Sequence, residues 1–146
     1  MRELKFRAWD KVNKKWIKSH YNQNQFIPID LDNDVLIEVV HDDVSAEGVV
    51  YKSWNRKEVE IMQFTGLYDK DGTEIYEGDL IELFVNKKGA VMVEFVNDFV
   101  GGWVLTHESI DQVISLGVRK KSELKVIGNI HENPELMVLL KWQKQN

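Results

Sequence analysis

Residues 62–79 read MQFTGLYDKDGTEIYEGD, a stretch that sets two tight turns between extended apolar runs. Asp71-Gly72 separates Leu67-Tyr68 from Ile75-Tyr76. Glycine reaches the positive φ of a tight hairpin turn without a Cβ penalty, so an Asp-Gly pair between apolar residues is a strong hairpin signal. Glu77-Gly78-Asp79 then turns the chain again into Leu80-Ile81-Glu82-Leu83-Phe84-Val85. The stretch describes a scaffold of strands and not a reaction.

The same rhythm extends outward in both directions. Upstream, residues 58–65 (EVEIMQFT) alternate Val59, Ile61 and Gln63 against Glu60, Met62 and Phe64. Near the start, Lys5-Phe6-Arg7-Ala8-Trp9 and Trp16-Ile17 flank a polar turn-like segment, which predicts a hairpin. Residues 19–33 are polar and read as an exposed connection, followed by short strands at residues 35–40 and 48–51. Downstream, residues 80–85, 90–96 and 103–105 recur at near-constant spacing with Asn and Gly punctuation, and residues 124–130 read as a closing strand. Short strands at this spacing predict a small, strongly bent sheet or barrel. Two helices are expected among them. Ser109 with Gln112 gives a capping-box pattern, Ile110, Val113 and Ile114 share a helical face, and Gly117 supplies a stop. Asn133-Pro134-Glu135 has the cap, the first-turn proline and the acid of a helix start.

A chain of 146 residues can bury roughly two-thirds of its unfolded surface, enough for one core or two small subdomains. The expected division is a β-rich subdomain with a variable acidic and polar region at residues 1–61 and a small barrel with a terminal helix at residues 62–146, packed as one unit. There is no cysteine, which excludes a disulfide framework and a thiol nucleophile and fits a reducing cytoplasm. The N-terminal residues lack the apolar run of a secretory signal or membrane anchor, so a cytoplasmic protein without membrane association is expected. Charge is uneven. Residues 1–18 carry Arg2, Lys5, Arg7, Lys11, Lys14, Lys15 and Lys18 against Glu3 and Asp10, a net +5 in a chain of net −5. Residues 30–47 carry Asp30, Asp32, Asp34, Glu38, Asp42, Asp43 and Glu47 with no Lys or Arg. An acidic whole opposes a broad grip on duplex phosphates, and the basic segment is better read as a solvated strand face than as a nucleic-acid contact.

Three blocks together resemble the YopX family of phage and prophage proteins. They are Lys5-Phe6-Arg7-Ala8-Trp9-Asp10; Met62-Gln63-Phe64-Thr65-Gly66-Leu67 with Asp71-Gly72 and Glu74-Ile75-Tyr76-Glu77-Gly78-Asp79; and Val126-Ile127-Gly128-Asn129-Ile130 with Glu132-Asn133-Pro134-Glu135-Leu136. The resemblance covers nearly the whole chain, residues 19–57 contributing no motif. His131 stands where the family favours an aromatic and Trp16 where it favours an aliphatic. The resemblance implies a protein encoded by a temperate phage or prophage of a low-GC Gram-positive bacterium or a relative. It implies a β-rich α+β fold, with an α+β N-terminal part and a small, partly open C-terminal barrel of the Src-homology-3-like kind. It brings no catalytic residues with it.

Catalytic and metal patterns fail on spacing. His107-Glu108 and His131-Glu132 are followed at the fourth position by Asp111 and Glu135 instead of the second histidine a zinc hydrolase needs. His20 and His41 are scattered and read as structural or exposed. Asp30, Asp32 and Asp34 match the start of a calcium loop, but Val35 and His41 replace its glycine and glutamate. Asp69 and Asp71 belong to a turn, and Glu77 and Asp79 are expected to be solvated residues flanking Gly78. No phosphate-binding glycine loop and no nucleophile elbow is present.

The five tryptophans are the remaining lead. Small barrels bind peptides or single strands through exposed aromatics, which makes Trp103, beside Gly101-Gly102, the first residue to inspect. A core or interface role for Trp9, Trp16 and Trp103 is the preferred reading. Trp142 follows Leu136, Leu139 and Leu140 on the expected terminal helix, an apolar element suited to docking. The sequence therefore points to a non-enzymatic accessory protein without metal or cofactor, which self-associates and binds a phage or host macromolecule. Its interaction surface would include Trp103, Arg7, Lys14 and Lys15. The alternatives are a nucleic-acid-associated protein using the basic N-terminal hairpin and a small hydrolase with an acidic site.

Overall fold

The computed structural model describes residues 3–17, 29–30, 34–39, 50–83, 90–96, 102–106 and 114–137. The protein is strand-rich and antiparallel, and the chain divides into two compact units, Met1–Phe64 and Thr65–Asn146.

In the first unit, β1 (Phe6–Asp10) and β2 (Lys15–Ile17) form the expected hairpin, with Trp9 opposite Trp16 and Asp10 opposite Lys15. A second sheet joins β3 (Ile29–Asp30), β4 (Asp34–Val39) and β5 (Val50–Asn55) in sequence order. The last of these runs on to Asn55, past the expected end at Tyr51. β6 (Val59–Tyr68) returns beside β1, pairing Ala8 with Ile61 and Arg7 with Met62. Side chains alternate across a strand, so Ala8, Ile17, Val59 and Ile61 share one face and form a small core with Phe6 and Trp54. The opposite face carries Arg7, Trp9 and Met62. Among the described residues of this unit there is no helix.

β6 runs on past the boundary, and its end serves the second unit, where β7 (Glu74–Tyr76) pairs with it. Next come β8 (Asp79–Leu83), β9 (Ala90–Val96), β10 (Gly102–Thr106), β11 (Ile114–Ser115) and β12 (Leu124–Asn129). They form one sheet in the order β11-β10-β9-β8-β12, a meander whose last strand returns to the first. The return crosses from edge to edge, four inter-strand spacings or roughly 19 Å in a flat sheet. It is made by two three-residue 3-10 turns, Leu116–Val118 and Lys121–Glu123, which rise only about 2 Å per residue. A curled sheet shortens that crossing. Ile81, Leu83, Val93, Trp103, Leu105, Leu116 and Leu124 then meet in one core with Ile75, on the inside of a half-barrel. Leu80 and Val104 are also fully buried, so the centre of the sheet is covered on both faces.

The expected helix over residues 109–117 is corrected where it is described. Ile114 lies in β11, paired with Leu105, and Gly117 lies within the first 3-10 turn. Ser109, Ile110, Gln112 and Val113 lie outside the described residues. The expected C-terminal helix starts at Pro134 and is helical through residue 137, and Leu139, Leu140 and Trp142 lie beyond the described residues.

Candidate functional site

Each buried acid holds backbone amides of a turn. Asp10, 4% exposed, accepts hydrogen bonds from the N–H groups of Val12 and Asn13 at 2.9 and 2.8 Å and from Asn13 Nδ2 at 2.8 Å. Burial pushes its pKa up, but the bonds from Asn13, Val12 and the Trp54 side chain outweigh this and hold it below the ordinary value of 3.8. The hairpin tip is thereby fixed, with Val12, Asn13, Lys14 and Lys15 exposed and Lys14 in the left-handed region at φ 54°.

Asp69 does the same in the second unit with a longer reach. Its Oδ1 accepts from the N–H groups of Asp71 and Thr73 at 2.9 and 2.8 Å, which closes the Asp71-Gly72 turn, where Gly72 takes φ 85°. Its Oδ2 accepts from Val126 N–H at 3.0 Å, tying this turn to β12. Here too desolvation raises the pKa and the bonds from Val126, Thr73 and Asp71 reverse it, leaving a net lowering. Asp79, expected to be solvated, is 1% exposed and accepts from Tyr76 N–H at 2.8 Å. The turn at Gly78, φ 78°, removes it from water. Asn129 completes the series: its Oδ1 accepts from the N–H groups of His131 and Glu132, and its Nδ2 donates to Glu132 at 2.7 Å. A Cβ at Gly128 beside it would lie 2.7 Å from Asn133 Cγ, so a larger residue there requires the Asn133 side chain to shift.

The sequence-expected surface residues are divided between the two units. Trp103 is 9% exposed and belongs to the half-barrel core, so it is no surface aromatic. Arg7 stacks on Trp16 at 4.7 Å, and Trp16 meets Trp9 edge to face at 4.9 Å. Arg7 is thus half-buried in a stack of its own sheet, whereas Lys14 and Lys15 stand on the exposed tip. Glu77 is half-buried beside Asp79. Glu132 of the second His-Glu pair is bonded to Asn129, while His20, His41, His107 and Glu108 lie outside the described residues. Among the described residues no group of His, Cys, Asp or Glu is arranged to hold a metal ion, and no helix is long and apolar enough to cross a membrane.

A second surface escapes sequence reading. Tyr68, at the end of β6, is 39% exposed, and Lys121 Nζ stands 5.9 Å from its ring centre. Lys70 N–H donates to Leu124 O at 3.0 Å, which together with the Asp69–Val126 bond brings the Tyr68–Lys70 segment against the start of β12. Arg119, Lys120 and Lys121 lie on the crossing just before it, with Val118 73% exposed. The only advance signal is the run Arg119-Lys120-Lys121, whose aromatic neighbour is far away in the chain.

The family described as YopX protein matches residues 5–138 of the chain. Among solved structures, protein EF1440 from Enterococcus faecalis is 26% identical with a TM-score of 0.63, over 94% of this chain and 99% of that one. Protein yopX from Bacillus subtilis is 17% identical with a TM-score of 0.57, over 93% and 98%, a likeness of fold. No curated protein matches.

Proposed function

The chain belongs to the YopX family, and from that premise we propose that it is a non-catalytic accessory protein of a phage or prophage. In this reading it works in the host cytoplasm as an interaction module that self-associates and binds a phage or host macromolecule. One observation carries the reading: Asp10, Asp69 and Asp79 are each turned inward onto backbone N–H groups. Carboxylates used in this way fix turns and leave the exposed tips as rigid binding elements, which reduces the ordering cost of binding. The half-barrel is taken as a partly open member of the Src-homology-3-like class, and the basic hairpin tip with Lys14 and Lys15 as its first contact surface. Arg7 supports that tip by its stack on Trp16. An acidic hydrolase site at Glu77 and Asp79 has little to recommend it, since Asp79 is committed to Tyr76 N–H.

Light scattering after size exclusion tests the assembly: a mass well above 17.1 kDa is expected. Pull-down from lysogenic host extract tests the partner, with Lys14→Gln/Lys15→Gln expected to weaken capture while leaving the unfolding midpoint in place. A strict monomer that captures nothing would remove the proposal.

A further inference from the structure

The basic surface of the second unit combines features that the N-terminal hairpin lacks. Tyr68 offers an exposed ring with Lys121 over it, and Lys70, Arg119 and Lys120 lie on the same two segments, which the Lys70–Leu124 backbone bond ties together. Lys121 lies over the ring at 5.9 Å, the outer limit of a cation–π contact, so a flat ligand can replace or share it at little cost. Arg119 Nε is buried with no hydrogen-bond partner among the described residues. Of the acids nearby, Asp69 is bonded to three amides and Glu123 accepts from Lys120 N–H at 3.0 Å, while Asp71 is exposed in the turn beside Lys70. Lys125 continues the surface along β12 but stands in register with Glu82, and it is left out of the set for that reason. The platform is rigid, because the Asp69 carboxylate and the Lys70–Leu124 bond lock the two segments together.

We propose that the surface carrying Tyr68, Lys70, Arg119, Lys120 and Lys121 binds single-stranded nucleic acid, the cations meeting phosphates and Tyr68 stacking on a base. Lysines alone would suit any polyanion, including an acidic peptide. An exposed aromatic ring set among them adds the stacking face that every base can use and that a peptide carboxylate cannot. A single strand fits a local patch on an acidic chain better than a duplex does, because a duplex needs a broad basic face. The inference rests on the reading of the chain as an interaction module and names one class of partner.

Fluorescence anisotropy of the full chain with a labelled oligothymidylate, across a salt series, tests it. With about four phosphates neutralised, the slope of log K against log salt should lie near −3. Tyr68→Leu should weaken binding roughly tenfold with the slope retained. Lys120→Gln/Lys121→Gln should make the slope shallower by about 1.4. Lys52→Gln/Lys57→Gln, at exposed lysines of the first unit, should change neither. Circular dichroism melts of each variant confirm that the fold is kept. Three results would overturn the proposal: no binding at low salt, binding that Tyr68→Leu leaves intact with polyphosphate or polyglutamate competing equally, or binding lost only with the hairpin lysines. If binding is absent while light scattering still reports an oligomer, this site falls and the interaction-module reading stands.

Discussion

Asp69 shows how one side chain can set a turn and a tertiary link together. Its two oxygens are divided, Oδ1 serving Asp71 and Thr73 within the turn and Oδ2 serving Val126. Replacing it with alanine leaves three amides without their acceptor, and at 1% exposure water cannot easily take over. Asp69→Ala should therefore cost about 2–4 kcal/mol. Asparagine keeps one acceptor oxygen, enough for the turn pair, but sets an NH2 group against the Val126 donor, so Asp69→Asn should cost about 1–2 kcal/mol. Chemical denaturation checks the order; equal losses would mean that the turn pair contributes nothing and that the Val126 link carries the whole effect. At this scale the sequence is legible only where chemistry is local. Asp71-Gly72 announces its turn because Gly72 must take positive φ, whereas Asp69 cannot announce a partner 57 residues away. Asp79 reads as solvated for a different reason, since a carboxylate that caps its own turn looks in sequence like any surface acid. Trp103, inspected for an exposed face because it stands beside two glycines but read by preference as core or interface, is buried in the half-barrel core.

The β1–β2 hairpin depends on a four-residue turn in which Asp10 holds the early amides and Lys14 takes φ 54°. A side chain with a Cβ pays about 1 kcal/mol in that region, and a β-branched one pays more. Lys14→Val should lower the unfolding midpoint by roughly 2–6 °C, while Lys14→Gly should leave it level or slightly higher. Thermal melts of the two variants decide it, and a valine variant as stable as the parent would contradict the assigned turn. Elements of this kind are readable where alternation is clean, as in β1, β2 and β6. β10 is harder, because Trp103, Val104 and Leu105 are buried in succession and a strand covered on both faces loses its period of two. The departure from the expected helix at residues 114–117 has a similar cause. Its capping pattern is a local preference, but Ile114 and Ser115 gain a ladder with Leu105 and Val104, and tertiary pairing overrides the propensity at those residues. The basic surface around Tyr68 was illegible because its parts meet only after β12 returns to β8.

Across the whole molecule, acids outnumber bases 24 to 19, and among the described residues Asp10, Asp69 and Asp79 are buried and turned onto backbone amides. Asp10 belongs to the first unit and Asp69 to the second, and both are held below the ordinary value of 3.8. A carboxyl group whose folded pKa lies below its unfolded one stabilises the fold fully above the unfolded value. That stability is lost as pH falls through the folded value, because the unfolded chain takes up the proton first. Stability should thus be insensitive to these two groups from pH 7 to about 5 and decline through and below 3.8. Other carboxylates also titrate there, so the contribution of this pair is read as a difference between proteins. Asp10→Asn/Asp69→Asn should be less stable than the parent at pH 7, with the gap narrowing as pH falls below 4, and each single variant should close part of it. Urea unfolding at fixed ionic strength between pH 7 and 2.5 measures the gap. A gap that stays constant with pH would mean that the substitutions disturb packing alone. A gap that narrows would show that ionised acids, directed inward onto turns in both units, help hold the fold against acid.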